Sequence, residues 1–346
     1  MMIHPLLSRF LLVCLCLCSA CLAPTMHAQT AEQWFQRGDS LDAAGNSSGA
    51  IEAYSKALKF QPRFVAALAN RALSKQKIGD LQGAIKDYDS AIVQDPTMSL
   101  LYSNRGTIKA EAEDMKGALA DFSEAIRRNP ADVDALANRA QVYYRLEDYR
   151  ASAADYSTAL RHQPGSAQLH SLRAQSMLSL RDTTAALRDL DSCLRNDSTM
   201  INAILFRGQI FEWLGKSKEA LQDYDRYVHM NPTDSSMYVV RGTLRKQSGD
   251  TAGALLDFNE AVRLFPGYTN ALNARGVLRL DAKNYRQALD DFTLALSINN
   301  SNAMVWYNRG IAAKYLGDNT QACSDWRKAL QLGETNAADA ISKFCK

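Results

Sequence analysis

A 34-residue pattern repeats without insertion or deletion over residues 31–336, and no other feature constrains the fold as strongly. When residues 65–98 are aligned with the next 34, similar residues coincide: Ala84 with Ala118, Tyr88 with Phe122, and Pro96 with Pro130. A period of this length indicates one small supersecondary element that buries its apolar face only by stacking against copies of itself. The pattern predicts nine units, at 31–64, 65–98, 99–132, 133–166, 167–200, 201–234, 235–268, 269–302 and 303–336.

Each unit has the pattern of two antiparallel helices. In 65–98, apolar residues recur at helical spacing, the pattern breaks at Gly79, resumes at Ala84, and ends at Pro96. Six of the eight prolines fall at position 32 of a unit, where the second helix must stop. Residues 337–346 resemble a truncated further first helix, which would cover the apolar face of the last unit. The sequence therefore predicts an all-α fold.

Two further positions predict how the helices pack. Position 8 is Gly or Ala in every unit, which favours a close approach of helices because Gly in a helix otherwise costs about 1 kcal/mol. Position 24 is large, and its residues are Tyr54, Tyr88, Phe122, Tyr156, Leu190, Tyr224, Phe258, Phe292 and Trp326.

These residues together resemble the tetratricopeptide repeat family, with small residues at positions 8, 20 and 27, a large one at 24 and Pro at 32. The resemblance implies a right-handed superhelical solenoid of nine antiparallel helix pairs with a C-terminal capping helix. It also implies a protein-interaction scaffold that has no chemistry of its own. Five residues depart from the pattern: Ser198, Asn300 and Glu334 replace Pro, and Cys193 and Tyr227 replace Ala at position 27.

Two charged positions are almost invariant among the units. Position 7 is Arg in all nine, and position 23 is Asp in eight, with Ala53 the exception. Because one active site does not need eight copies, we interpret these charges as structural pairs between the two helices of a unit. Arg105 with Asp121 represents them.

The resemblance implies that positions 2, 5, 6, 9, 12 and 13 of the first helices line a concave groove that holds partners. Position 6 is Asn in four units, and a row of amides can both donate to and accept from an extended peptide backbone. Alternatively, the amides belong only to the repeat motif. These residues are Asn70, Asn104, Asn138 and Asn308.

A second groove cluster lies in and after the sixth unit, and its members are Asn202, Phe206, Gln209, Trp213 and Val240. Its aromatic side chains would receive apolar side chains of a partner. Extra packing between neighbouring units is the alternative explanation.

Other chemistry finds little support in the sequence. The histidines share no metal-ligand spacing, and Gly215-Lys216-Ser217 lacks the upstream glycine and strand of a phosphate loop. Without the single arginine of residues 1–28, 39 basic residues face 37 acidic ones, which leaves no basic footprint for nucleic acid. We therefore predict no catalytic residue, cofactor or metal, and a protein or peptide as the partner.

The start of the chain predicts export. Arg9 precedes an uncharged run over residues 10–23, which is too short for a membrane span of about 20 residues and typical of a signal peptide. We place cleavage after Ala28, giving a signal peptide at 1–28, with lipidation at Cys21 as the alternative. Either route predicts a periplasmic or outer-envelope protein without an integral membrane segment in its mature part.

Cys323 and Cys345 can form a disulfide in an oxidising compartment, because position 21 of the ninth unit and the antiparallel capping helix bring them together. Two functional classes remain open. One is a scaffold that binds an extended segment of a partner in its groove, and the other is a fixed structural subunit of an envelope assembly that uses its outer surface.

Overall fold

The computed structural model of the protein describes residues 30–345, and this part of the chain is α-helical with no strand. Within it, nine helix pairs and one short final helix form an all-α repeat solenoid, as the period predicts. The expected signal peptide at 1–28 and the alternative lipidation site Cys21 lie outside the described residues. None of the helices between residues 30 and 345 has the length and apolar character needed to cross a bilayer.

The described chain divides into two compact units, with the boundary between Asn129 and Pro130. The helices of the first unit are α1 (Ala31–Ala43), α2 (Ser47–Phe60), α3 (Val65–Lys77), α4 (Leu81–Gln94), α5 (Ser99–Glu111) and α6 (Met115–Arg128). Those of the second are α7 (Val133–Arg145), α8 (Tyr149–His162), α9 (Ala167–Ser179), α10 (Thr183–Asn196), α11 (Ile201–Trp213), α12 (Ser217–Met230), α13 (Ser235–Gln247), α14 (Thr251–Leu264), α15 (Thr269–Asp281), α16 (Tyr285–Ile298), α17 (Ala303–Tyr315), α18 (Asn319–Gln331) and α19 (Asn336–Phe344).

The turn inside each pair has the same construction. The residue at repeat position 15 adopts a left-handed conformation, and in seven of the nine pairs the next side chain caps the second helix, as when Asp80 accepts a hydrogen bond from the Gly83 N–H at 2.9 Å. Position 15 is usually Gly, but Glu113, Glu147, Arg181 and Lys283 hold φ near +62° there. An L side chain in this region costs about 1–2 kcal/mol, so four turns carry local strain.

The small residue at position 8 and the large one at position 24 meet inside each pair. A Cβ atom added to Gly276 would lie 2.6 Å from the Phe292 ring, and one added to Gly310 would lie 2.6 Å from the Trp326 indole. The ring therefore rests on the backbone of the first helix, and both aromatic side chains are almost fully buried. This contact explains why glycine recurs inside a helix.

The expected arginine–aspartate pairs are present in eight helix pairs of the described chain, and each is bidentate. In the third pair, Arg105 donates from Nε and Nη2 to the two carboxylate oxygens of Asp121, at 2.8 and 2.5 Å. Asp121 is 4% exposed, and its hydrogen bond raises the pKa of the Arg105 guanidinium. Such a buried, forked pair fixes the distance between the two helices.

The same arginines also join neighbouring pairs, which the sequence pattern did not suggest. Nη1 of Arg105 donates to Asp89 of the preceding pair at 2.5 Å, and Nη1 of Arg71 donates to Ser55 at 3.0 Å. In the second unit, Nη1 of Arg241 donates to Asp225 at 2.9 Å. Each of these guanidinium groups therefore connects three helices.

The final helix α19 is fastened to α18 by a disulfide between Cys323 and Cys345, whose Cα atoms are 5.6 Å apart. Phe344 packs near Trp326 with ring centroids 5.8 Å apart, and Ala337 is fully buried. Helix α19 thus covers the apolar side of α18.

Candidate functional site

Trp213, at the end of α11, is the most exposed tryptophan of the described chain, with 75% of its surface accessible. The other three tryptophans have partners: Trp34 lies under Lys56, Trp306 donates its indole N–H to the Asn300 carbonyl, and Trp326 donates to the Tyr307 carbonyl. Within residues 30–345, Trp213 has no aromatic, cationic or hydrogen-bonding partner. An indole in this state is an unoccupied apolar contact surface.

Beside Trp213, a cavity of about 520 Å³ opens between α9 and α11 of the second unit. It is lined by Leu178, Arg181, Thr183, Phe206, Gln209, Ile210 and Trp213. We call it the tryptophan cavity. Its volume lies in the range of pockets that receive a ligand or a large side chain, and most of its lining is apolar.

The walls of the tryptophan cavity are held by the core beneath them. Phe206 and Leu178 pack against the buried cluster that includes Ile204 and Leu190. At the end of α11, the Tyr224 hydroxyl donates to Glu212 at 2.5 Å, and burial raises the pKa of that tyrosine. The cavity is therefore bounded by fixed elements, which lowers the entropic cost of binding.

One side of the tryptophan cavity is cationic. Arg181, one of the strained residues at position 15, is exposed and forms no ion pair within the described residues. A partner that places a carboxylate next to an apolar anchor would satisfy this guanidinium.

The corresponding place in the ninth pair is closed. Tyr315 occupies the repeat position of Trp213, and its ring stacks on Tyr285 with centroids 4.6 Å apart and an angle of 6° between planes. Tyr285 stands at the position that Thr183 holds beside Trp213. Thr183 has no ring, so at the tryptophan cavity the space that Tyr285 fills in the ninth pair stays open.

In the first unit, the predicted asparagines serve contacts within the protein. Asn70 donates to Asp39 Oδ1 at 2.9 Å, and the same oxygen accepts the Tyr54 hydroxyl at 2.7 Å. Asn104 is half-buried beside the Tyr88 hydroxyl; burial raises the pKa of this tyrosine, and Asn104 partly offsets that effect. The amide of Asn70 therefore joins α3 to α1 and has fewer hydrogen-bonding groups available to a partner.

In the second unit, only some of the predicted groove residues lie close together. Phe206, Gln209 and Trp213 come together in the tryptophan cavity, whereas Asn202 and Val240 are exposed but do not line it. Asn138 is half-buried, and its amide makes no hydrogen bond within the described chain.

Asn308 requires a correction, because it does not lie on an open groove. Its accessible fraction is 8%, so its amide lies below the surface of α17. The physical reason is that α17 packs directly against α15, the first helix of the preceding pair. The space above position 6 is therefore closed there, whereas it remains open between α9 and α11.

Four lining residues were not anticipated: Leu178, Arg181, Thr183 and Ile210. Position 17 alone could not have located them, because Thr183 is small there but so are Ser47, Ser217 and Thr251. The only signal is the combination of Trp213 with Thr183 thirty residues earlier. Nor does the part of the chain from 30 to 345 assemble three or more His, Cys, Asp or Glu side chains that could hold a metal ion.

Comparison with solved structures finds similar repeat proteins at low sequence identity. A crystal structure of MamA matches 49% of this chain and 92% of its own, with 21% identity and a TM-score of 0.46. YrrB, described as a TPR protein with an unusual peptide-binding site, matches 54% of this chain and 97% of its own, with 19% identity and a TM-score of 0.48. A tetratricopeptide repeat protein from Parabacteroides merdae matches 82% of this chain and 98% of its own, with 20% identity and a TM-score of 0.37.

No curated protein matches the chain. A family model does match it, over residues 35–99, 104–167, 138–201 and 239–303, and that model describes the tetratricopeptide repeat. The matched segments cover well over half of the sequence and agree with the helix pairs of the structure. The chain therefore belongs to the tetratricopeptide repeat family, whose repeats generally act as scaffolds for protein–protein interaction.

Proposed function

We propose that the protein is a non-catalytic scaffold that binds an extended segment of a partner protein along the first helices of its second unit. A large apolar side chain of that segment occupies the tryptophan cavity. The observation that carries this proposal is the unpartnered, 75% exposed ring of Trp213 beside an open, mostly apolar cavity. Buried aromatic anchors supply most of the free energy in interfaces of this kind.

The positive charge of Arg181 indicates which residues the bound segment carries beside its apolar anchor. Arg181 stands at the cavity edge without a carboxylate partner in the described chain, so the bound segment carries an acidic residue next to its apolar anchor. Gln209 and Asn202 lie exposed on the same helix and offer amide groups to the peptide backbone. The expected motif is thus a Trp, Phe, Tyr or Leu with an Asp or Glu within two residues of it.

The test is a selection of displayed random peptides on the purified protein, followed by fluorescence anisotropy with the selected peptides. We expect enrichment of this motif. Trp213→Ala should weaken binding about 30-fold or more, the loss typical of a central anchor. Arg181→Glu should weaken it several-fold, and added salt should reduce the effect of Arg181.

Tyr315→Ala is the matched control, because it removes an exposed aromatic ring from the same repeat position in the ninth pair. It should leave peptide affinity unchanged. Selected peptides that bind the Trp213→Ala variant as tightly as the parent would contradict the proposal. If substitutions on the second helices alone change the affinity of the selected peptides, the result would instead favour a structural subunit that works through its outer surface.

We also propose that the protein is exported. Two features support this: the signal-like pattern of residues 1–28 and the disulfide between Cys323 and Cys345, since disulfides persist in oxidising compartments. Cell fractionation with mass spectrometry of the mature amino terminus tests it. A chain that begins at Gln29, or a lipidated chain that begins at Cys21, would agree, and an unprocessed cytoplasmic chain would not.

A further inference from the structure

A second cavity, of about 600 Å³, lies in the second unit among helices α10, α11 and α12. Its lining includes four arginines, Arg188 and Arg195 from α10, Arg207 from α11 and Arg226 from α12, together with Asp191, Ser192 and Leu194. We call it the arginine cavity. Four guanidinium groups around one concave surface repel each other unless an anion neutralises them.

Only one of the four arginines is neutralised by the protein. Arg207 donates to Asp223 at 2.7 Å and to Asp191 at 2.8 Å. This forked pairing raises the pKa of the Arg207 guanidinium. Its single positive charge is therefore more than offset by two carboxylates, of which Asp191 is the one acid in the lining.

The other three arginines contact only neutral oxygen atoms. Arg195 donates to the Ser192 hydroxyl at 2.9 Å, and Arg226 donates to the Ser198 carbonyl. Arg188 reaches the carbonyl of Thr184 at 3.5 Å. None of the three forms an ion pair with a carboxylate within the described residues, so the arginine cavity has excess positive charge.

Two other helix pairs hold an arginine at the repeat position of Arg195 and pair it with an acid. In the third pair, Arg127 forms an ion pair with Glu124 at 2.8 Å. In the seventh, Arg263 forms one with Glu260 at 2.6 Å. These glutamates stand at repeat position 26.

At the arginine cavity, position 26 holds no acid. Ser192 holds the position in the fifth pair, and Arg226 holds it in the sixth. The local sequence therefore provides no glutamate for Arg195 and adds the positive charge of Arg226 where three helices surround a cavity.

We propose that the arginine cavity binds a phosphate group, either as the free ion or as a phosphate monoester. Guanidinium groups fit phosphate because their planar N–H pairs match its oxygen atoms in forked hydrogen bonds, and their charge does not titrate near neutral pH. Arg188, Arg195 and Arg226 supply donors from two helices, and the Ser192 hydroxyl can donate a further hydrogen bond. This site is distinct from the tryptophan cavity, since the two linings have no residue in common.

The experiment is a thermal-unfolding titration of the purified protein with inorganic phosphate, at ionic strength held constant with sodium chloride. A bound anion raises the melting temperature progressively with its concentration. The triple variant Arg188→Gln, Arg195→Gln and Arg226→Gln should bind phosphate at least about tenfold more weakly, because three charge-assisted contacts are lost. The double variant Arg127→Gln and Arg263→Gln is the matched control, since it removes the two paired arginines and should bind phosphate as the parent does.

A second variant guards against a folding defect. Lysine at the three positions keeps the charge but loses the forked geometry, and it should fold normally and bind with intermediate affinity. Titrations with O-phosphoserine and with glycerol 3-phosphate distinguish a phosphorylated peptide from a lipid headgroup as the source of the group. A parent protein that responds to none of the three phosphates beyond chloride, or a triple glutamine variant that responds as the parent does, would overturn the proposal.

Discussion

The sixth and ninth helix pairs share the same interior but differ on the side of their first helices. Both pairs hold a glycine against a large ring, Gly208 against Tyr224 and Gly310 against Trp326, and both have a forked arginine–aspartate pair. In the ninth pair, Tyr315 stacks on Tyr285 and Asn308 is buried. In the sixth, Trp213 stands free beside a cavity. The repeated residues therefore build the frame, and departures from the repeat build the candidate site.

The largest expected effect tests the shared frame. Asp223→Ala and Asp325→Ala each leave a half-buried arginine without its forked partner, which should lower the free energy of unfolding by about 3 kcal/mol. The loss should be the smaller in Asp223→Ala, because Arg207 keeps Asp191 as a partner, as measured by urea unfolding followed by circular dichroism. A loss below about 1 kcal/mol in either variant would show that the pair behaves as a surface ion pair.

The next largest effect is expected from a variant that fills the tryptophan cavity. Thr183→Tyr places an aromatic ring where Tyr285 stands in the ninth pair, so that Trp213 gains a stacking partner and the tryptophan cavity fills. Peptide affinity should fall at least about tenfold, and the free energy of unfolding should rise by about 0.5–1.5 kcal/mol. Thr183→Val, which adds no ring, is the control, and it should leave both quantities nearly unchanged.

A smaller effect separates the two exposed rings. Tyr315→Ala should lower stability by about 1 kcal/mol, because it removes a stacked partner of Tyr285. Trp213→Ala should change stability by no more than about 0.5 kcal/mol, as expected for a surface side chain without contacts. Equal losses in thermal unfolding would mean that Trp213 is packed like Tyr315, and the comparison would fail.

The smallest effect concerns the turns. Arg181 has φ +62°, whereas Gly317 stands at the same repeat position in the ninth pair with φ +87°. Arg181→Gly should therefore stabilise the protein by about 0.5–1 kcal/mol while weakening an acidic peptide several-fold. A matched Lys283→Gly variant should stabilise to a similar degree without affecting the peptide. Loss of stability in both variants would show that these side chains contribute contacts that outweigh the backbone strain.

The sequence predicted the frame because each of its contacts is encoded at fixed positions of one unit. Arg105 and Asp121 occupy two positions that are almost invariant along the chain, so their pairing follows from the repeat. The additional bond from such an arginine to the preceding pair was missed, since its acceptors are as different as Ser55, Asp89 and Asn259. They share repeat position 25 and the ability to accept a hydrogen bond, but the residue type at that position varies.

The site was predicted less completely, because it depends on empty space. Phe206, Gln209 and Trp213 were identified by their places on the first helix, but the cavity exists because Thr183, thirty residues before Trp213, lacks a ring. Asn308 was misplaced for the opposite reason, since its burial comes from the close packing of α15 and α17. Neither the cavity beside Trp213 nor the burial of Asn308 is determined by a single position of the repeat.

The disulfide at α19 changes how the end of the second unit can open. A pair with a full neighbour on only one side frays, and its amide hydrogens then exchange with solvent far faster than those of interior helices. The bond between Cys323 and Cys345 holds α19 on α18, so amide protons of both helices stay protected for as long as the bond remains oxidised. Reduction of this bond would allow α19 to separate from α18 while the interior helix pairs stay packed. Hydrogen exchange measured with the bond oxidised and reduced should therefore differ mainly in α18 and α19.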